Sequence, residues 1–319
     1  MNDFVYFQGQ IVPPEEAHIS VKTHAFLYGT SLFEGVRGYW LPEANSVSLF
    51  RLKEHYQRIL ANSRIFFMLP EDSPSEETLL QQWTEATCEL VKKNAPQQDF
   101  YIRLTLYKSG ISIGPCLDNS KTDVCIWTQP LGNYVNVDDG LHVTISSWRR
   151  VDDNAIPPCA KAAGAYMNSA VMVTDAKRNG FDEVITLTHN GTVSEGSAMN
   201  IFMVRRSKLV TPPVTDNILE GITRDSIIEL ATRLGIEVEQ RSIGRTELYR
   251  AEEVFFTGTA AQIAPVTRID HRPVGNGKPG EMTKRVQQLY ADVVHHRRPE
   301  YAHWCTLVPI TTGVAGTKR

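Results

Sequence analysis

From Phe4 to Ile269 the runs that read as β-strands come in clusters, and helical stretches fall between clusters instead of following each strand. A doubly wound parallel sheet needs a crossover helix after nearly every strand, so this spacing points to an α+β fold. Phe4–Phe7 and Ile11–Val12 flank Gln8-Gly9-Gln10 as a hairpin. Leu27–Tyr39 mixes aromatics with Gly29, Gly35 and Gly38, as strands do that bend around something close. Ser46–Phe50 feeds a helix over Leu52–Phe67, with Leu52, His55, Tyr56, Ile59 and Leu60 on one face. Ser75-Glu-Glu opens a second helix to Lys93, its acids at the positive end of the helix dipole. Strands over Asp99–Tyr107 and Thr122–Thr128 follow.

The stretch Gln129–Gly140 is rich in turn formers and has no periodicity. It divides the 319 residues into a smaller N-terminal domain (1–128), a linker (129–139) and a larger C-terminal domain (140–319). In the larger part the pattern predicts a strand over Leu141–Trp148, a helix over Tyr166–Arg178 and strands through Glu183–Val210 with a hairpin at Asn190-Gly191. A helix over Thr223–Leu234 ends at Gly235, a suitable C-cap. Strands near Glu237–Arg241, Val254–Phe256 and Ile263–Ile269 precede a last helix over Glu281–Val294, and the end of the tail after Arg298 reads as loose.

A net charge of -3 and a pI near 6.3 argue against nucleic-acid or membrane-surface binding. The basic pairs, Arg149-Arg150 among them, read as solvated. No apolar run approaches the ~20 residues that span a bilayer, and the N-terminus has no export signal. Five scattered cysteines without a CxxC pair suit a reducing cytosol, and neither they nor the histidines have metal-ligand spacing, so no metal is expected.

Chemistry is concentrated around one lysine. Ala155-Ile-Pro-Pro-Cys-Ala-Lys161-Ala-Ala-Gly-Ala-Tyr166 places it after a proline-stiffened loop, among small residues that leave bare backbone and room for a flat molecule. Desolvation favours the neutral amine, the form that condenses with a carbonyl; taken alone, a solvated helix-start lysine fits the run equally well. Four further stretches bear on it. Glu195, amid Gly, Ser and Ala between strands, needs a cationic partner if buried. Leu219-Glu-Gly221-Ile222-Thr223 opens a helix whose free N–H groups suit an anion, or a simple cap. Phe255-Phe-Thr-Gly258-Thr259-Ala260-Ala261 is a strand ending in a small-residue turn, and Arg58 lies on the first helix.

In this order these stretches resemble the fold-type-IV pyridoxal-phosphate enzymes, and most of all the branched-chain amino acid aminotransferases. The resemblance runs from Val21-Lys-Thr-His-Ala-Phe-Leu-Tyr-Gly-Thr-Ser-Leu-Phe-Glu-Gly-Val-Arg37 to Thr283-Lys-Arg-Val-Gln-Gln288. It implies the two-domain α+β architecture of D-amino acid aminotransferase-like enzymes, with pyridoxal 5'-phosphate as cofactor. Lys161 would carry the cofactor and move the α-proton, Glu195 would pair with the ring nitrogen, and Tyr166 would face the phenolic oxygen. Arg58, Ile222, Thr223 and Thr259 would hold the phosphate, with Leu219 on the ring face. Tyr28, Phe33, Gly35, Tyr101, Arg103 and Tyr134 would surround the substrate, and amides near Ala260 and Ala261 would take its α-carboxylate.

The implied reaction moves the amino group of L-leucine, L-isoleucine or L-valine to 2-oxoglutarate in a cytoplasmic homo-oligomer, at least a dimer. A loop near Ile111–Pro115 would close the neighbouring subunit's site. Gln262, Ala165 and Leu131 depart from the family's usual Glu, Asn and aromatic residue. D-amino acid or (R)-amine transamination, aminodeoxychorismate lysis and, more remotely, binding without turnover remain the alternatives. Gly275-Asn-Gly-Lys278-Pro-Gly280 lacks the spacing of a phosphate loop and reads as a surface turn.

Overall fold

The computed structural model describes residues 2–69, 72–118, 121–132 and 139–310. In chain order the elements are β1 (Val5–Phe7), β2 (Gln10–Val12), α1 (His24–Tyr28), β3 (Ser31–Leu41), β4 (Ser46–Phe50), α2 (Leu52–Ser63), α3 (Glu76–Asn94), β5 (Phe100–Lys108) and β6 (Thr122–Pro130). They continue with β7 (Leu141–Arg149), α4 (Tyr166–Arg178), β8 (Glu183–Leu187), β9 (Val193–Gly196), β10 (Asn200–Arg205), β11 (Lys208–Thr211), α5 (Ile222–Arg233) and β12 (Val238–Gln240). The last are α6 (Arg245–Leu248), β13 (Glu253–Gly258), β14 (Gln262–Ile269), β15 (Arg272–Pro273), α7 (Glu281–Val294) and β16 (Cys305–Pro309). No helix among the described residues is long and apolar enough to cross a membrane.

The chain divides into two compact units, one of residues 1–28, 33–132 and 292–319, the other of 29–32 and 133–291. The chain's end does not stay with the larger unit: β16 pairs antiparallel along the whole of β4, Cys305 opposite Phe50 and Pro309 opposite Ser46. The tail after Arg298 passes through a short 3-10 helix, Pro299–Trp304, into this strand, while its end, 311–319, the part expected to be loose, lies outside the described residues. A short hydrophobic pattern beside prolines carries no strand signal of its own; the open edge of β4 supplies the missing hydrogen bonds.

The first unit is built on a seven-stranded sheet in the order β16-β4-β3-β5-β6-β1-β2. α2 and α3 form where periodicity placed them. Ser75 caps α3 by accepting the Thr78 N–H, Glu76 and Glu77 occupy its first turn, and Lys92 and Lys93 its last. The two helices meet at Tyr56, whose buried hydroxyl lies 2.6 Å from that of Thr87 and whose ring packs edge-on against Trp83.

The second unit is built on a nine-stranded sheet in the order β12-β11-β10-β13-β14-β7-β8-β9, with β15 beside β14. β7 runs parallel to both β14 and β8, and most other pairs are antiparallel, so the sheet is mixed. Its core is a continuous cluster that includes Leu141, Val143, Ile185, Ile201, Phe256 and Val266. α4 lays Met172 and Ala176 against Val184 and Phe181. Asn190-Gly191 turns the chain between β8 and β9 with Gly191 at φ +86°, a conformation glycine adopts without a Cβ penalty.

Candidate active site

Within the second unit the lysine loop is locked before α4 begins. Lys161 itself has φ 52° and ψ 42°, the left-handed region that β-carbon-bearing residues avoid. A lysine held there is over-determined by its surroundings, a condition found at functional sites. The surroundings are backbone. Ala162 bridges Leu32, and a Cβ on Gly29 would come within 3.0 Å of the Gly164 Cα. The small residues after Lys161 therefore admit the chain's own Gly29–Leu32 segment, a use of the bare backbone that composition alone did not indicate. Lys161 Nζ donates to the Tyr166 hydroxyl at 3.1 Å, five residues on at the start of α4, and lies 5.7 Å from the centre of that ring.

Glu195 is not a solvated turn acid. It sits on β9, 2% exposed. The Arg150 guanidinium lies 2.6 Å from Oε1, while Oε2 accepts from Asn200 Nδ2 at 2.9 Å and from the Leu219 N–H at 3.1 Å. Burial pushes its carboxyl above the ordinary value, against the opposing pull of Arg150, the Leu219 N–H, Lys161 and Arg224. The expectation that Arg150 is solvated along with Arg149 does not hold. Arg149, the last residue of β7, is exposed, whereas the Arg150 side chain just past the strand's end is only 10% exposed.

α5 starts at Gly221, which offers no side-chain cap. A Cβ there would lie 2.0 Å from the Asn200 Oδ1, so only glycine fits. Asn200 thus ties Glu195, the Leu219 carbonyl at 2.8 Å and the start of the helix together. Thr223 is buried on the first turn, and Arg224 behind it is held by the Pro212 carbonyl and Gln240. Thr259, Ala260 and Ala261 form the turn between β13 and β14, closed by Gln262 at φ 55°. A separate cavity of about 500 Å³ is lined by Asp152, Cys159, His189, Asp216 and Glu220 among others, none of them assigned to the cofactor. Among the described residues no group of His, Cys, Asp and Glu is placed to hold a metal ion.

Within the first unit, β5 alternates so that Tyr101 and Arg103 share a half-buried face while Ile102 and Leu104 are buried opposite. The Arg103 guanidinium stacks 3.8 Å from the Phe33 ring centre and 6.0 Å from that of Trp127, its cross-strand neighbour. Its Nε is buried and has no hydrogen-bond partner among the described residues. Tyr101 packs 5.9 Å from Trp127 and fills the space beside Gly35, where a Cβ would lie 2.4 Å from the phenol oxygen. The Tyr28 hydroxyl accepts the Gly114 N–H at 2.9 Å. Arg58 lies on α2 with Nε and Nη2 each 2.7 Å from Glu34, which also takes His55 Nδ1 at 2.7 Å. Burial alone would push Glu34 up, but Arg58 and His55 outweigh it and hold the carboxyl at about 2. His55 is therefore the donor to a carboxylate.

The family described as amino-transferase class IV matches residues 31–269. The chain belongs to the class IV aminotransferases. A probable branched-chain-amino-acid aminotransferase of Aquifex aeolicus (strain VF5) is 44% identical over 307 residues, 96% of this chain and 97% of its own. The crystal structure of branched-chain aminotransferase from Thermoproteus uzoniensis with norvaline superimposes with a TM-score of 0.89 at 38% identity, over 96% of this chain and 100% of that one. The T.th. branched-chain amino acid aminotransferase complexed with N-(5'-phosphopyridoxyl)-L-glutamate gives 0.88 at 38% identity, over 95% and 97%.

For an aminotransferase of this class, the second unit gathers Lys161, Tyr166, Glu195 and Leu219, and the Ile222–Thr223 helix start; the first gathers Phe33, Gly35, Tyr101 and Arg103. Tyr134 lies outside the described residues. Three polar or aromatic participants went unread in the sequence: Arg150, Asn200 and Trp127. Only Asn200, shortly past Glu195 in a Gly-Ser-Ala run, stands in a stretch already singled out.

Proposed function

We propose that the protein is a pyridoxal-5'-phosphate-dependent branched-chain amino acid aminotransferase. It transfers the amino group of L-leucine, L-isoleucine or L-valine to 2-oxoglutarate and releases the branched 2-oxo acid and L-glutamate. The observation that carries this reading is the trio of Lys161 against Tyr166, buried Glu195, and the Gly221-led start of α5. The residues fit the cofactor's demands. Glu195, already held by Arg150, keeps acceptor capacity for a further cationic N–H, and the Gly221 site, barred to any Cβ by Asn200, leaves bare helix-start backbone for a phosphate.

When bound, the cofactor supplies an electron sink for the charge left as the α-proton departs. Lys161 would hold the cofactor through its side-chain amine at the aldehyde carbon, and the same amine would take and return the α-proton. Tyr166 orients the lysine amine through its hydroxyl. Thr223, Ile222, Thr259 and Arg58 bind the phosphate, Glu195 keeps the ring nitrogen protonated, and Leu219 packs on the ring. On the substrate side, Arg103 presents a charge with an unmet donor amid Phe33, Tyr101 and Trp127. Aromatic walls suit an aliphatic side chain, and the guanidinium suits the second carboxylate of glutamate. Relatives solved with norvaline and with a phosphopyridoxyl-glutamate adduct support both halves.

The enzyme works as a homodimer or a larger homo-oligomer in the cytoplasm. Val21, Phe26, Leu27, Ile111 and Ile113 form an apolar surface on the first unit, Ile113 being 97% exposed, and Thr23 bridges Ile111 to hold the two segments together. Such a patch is costly in water and calls for a partner of the same kind.

Initial rates with L-leucine, D-alanine and (R)-1-phenylethylamine, each with 2-oxoglutarate, test the substrate assignment. L-leucine is expected to be the best donor by at least about tenfold, a difference of about 1.4 kcal/mol in transition-state binding. A preference for either of the other donors would overturn it.

A further inference from the structure

Glu195 can accept four hydrogen bonds, two at each oxygen. Oε2 is filled by Asn200 and Leu219, whereas Oε1 meets only Arg150 among the described residues. The acceptor site left for a ring N–H is therefore on Oε1, the oxygen that Arg150 holds. Arg150 is itself placed by structure. Its backbone N–H donates to the Leu187 carbonyl at 2.9 Å as β7 ends, and its Nε is buried without a partner. An arginine buried with an unmet donor breaks the ordinary rule of polar satisfaction, and among the described residues the ion pair its guanidinium makes is to Glu195.

We infer that Arg150 is a positioning residue for the transamination: it keeps Glu195 ionised and aims Oε1 at the cofactor's ring nitrogen. This rests on the reading that Glu195 pairs with that nitrogen. Without the neighbouring charge, a carboxyl this buried takes up a proton and becomes a poor partner for a pyridinium. An opposite charge at this distance moves the balance of ionised and neutral carboxyl by about tenfold or more.

The test is ¹⁵N NMR of protein reconstituted with ring-¹⁵N pyridoxal phosphate, at neutral pH, for wild type, Arg150→Gln, Arg150→Lys, Glu195→Gln and the Arg150→Gln/Glu195→Gln double variant. The wild-type signal is expected at the protonated position. Arg150→Gln should shift it toward the unprotonated position, Arg150→Lys should restore most of it, and the double variant should match Glu195→Gln. The double variant also removes both charges at once, so it keeps the test open should the lone buried charge of Arg150→Gln prevent folding. An Arg150→Gln signal identical to wild type, with only a lower melting temperature, would overturn the inference and leave Arg150 structural. If Glu195→Gln also leaves the signal unchanged, the pairing of Glu195 with the ring falls, and this inference with it.

Discussion

A missing side chain does as much as any present one in the first unit. Gly35 lies where a Cβ would be 2.4 Å from the Tyr101 oxygen and 2.6 Å from its Cε2, so the tyrosine crosses β3 only because position 35 is bare. Gly35→Ala should push the ring aside, raising KM for L-leucine about tenfold while costing about 1–3 kcal/mol of stability, as overpacking does. Steady-state kinetics with a melting curve decides it, and an unchanged KM would show that Tyr101 does not touch substrate. Arg103 is the other sharp case. Arg103→Met should lower kcat/KM for 2-oxoglutarate about a hundredfold or more, the scale of an unpaired charge, and that for L-leucine less than about tenfold. Equal losses for both would contradict a role toward the second carboxylate. Lys161 was legible only through the order of the stretches around it and the resemblance they carry, since its own run fits a solvated lysine equally well. Its left-handed backbone was not, since tertiary contacts with Gly29–Leu32 impose it. Arg150 stayed hidden because a two-arginine run has no preferred face until its strand is built.

At the scale of elements, α2 and β3 are joined by ions as well as packing. Glu34, on β3, is fully buried between His55 and Arg58 of α2 and holds its proton only near 2. The folded value lies below the ordinary 4.5, so this stabilisation is complete above about 4.5 and is lost as pH falls toward 2. The gap, about 2.5, corresponds to something on the order of 3 kcal/mol. Urea unfolding should find Glu34→Gln less stable by about that amount at pH 7, with the difference shrinking below pH 4.5 and closing only near pH 2. Parallel pH profiles for the two proteins would rule this out. Helix periodicity and capping made α2, α3, α4 and α7 readable to within a few residues, because those signals are local. β16 was not readable: it exists by pairing with β4, more than two hundred residues earlier, and local propensity says nothing of such a partner.

For the whole molecule, the clustering of strands sufficed to reject a doubly wound sheet, and a largely antiparallel sheet in each unit follows from it. The return of the C-terminal segment to the first unit is a long-range contact that composition does not encode. Assembly belongs to this scale too. Ile111→Asp with Val21→Asp should convert a dimer to monomer in analytical ultracentrifugation, with little change in the far-UV circular dichroism; persistence of the dimer would move the interface elsewhere. The most direct test of the central claim is the visible spectrum of the protein reconstituted with pyridoxal phosphate, beside Lys161→Ala, as L-leucine and then 2-oxoglutarate are added. The account predicts a visible band in the wild type that bleaches with L-leucine and returns with 2-oxoglutarate, and no such cycle in the variant. A band indifferent to L-leucine, or a cycle that survives the loss of Lys161, would contradict it.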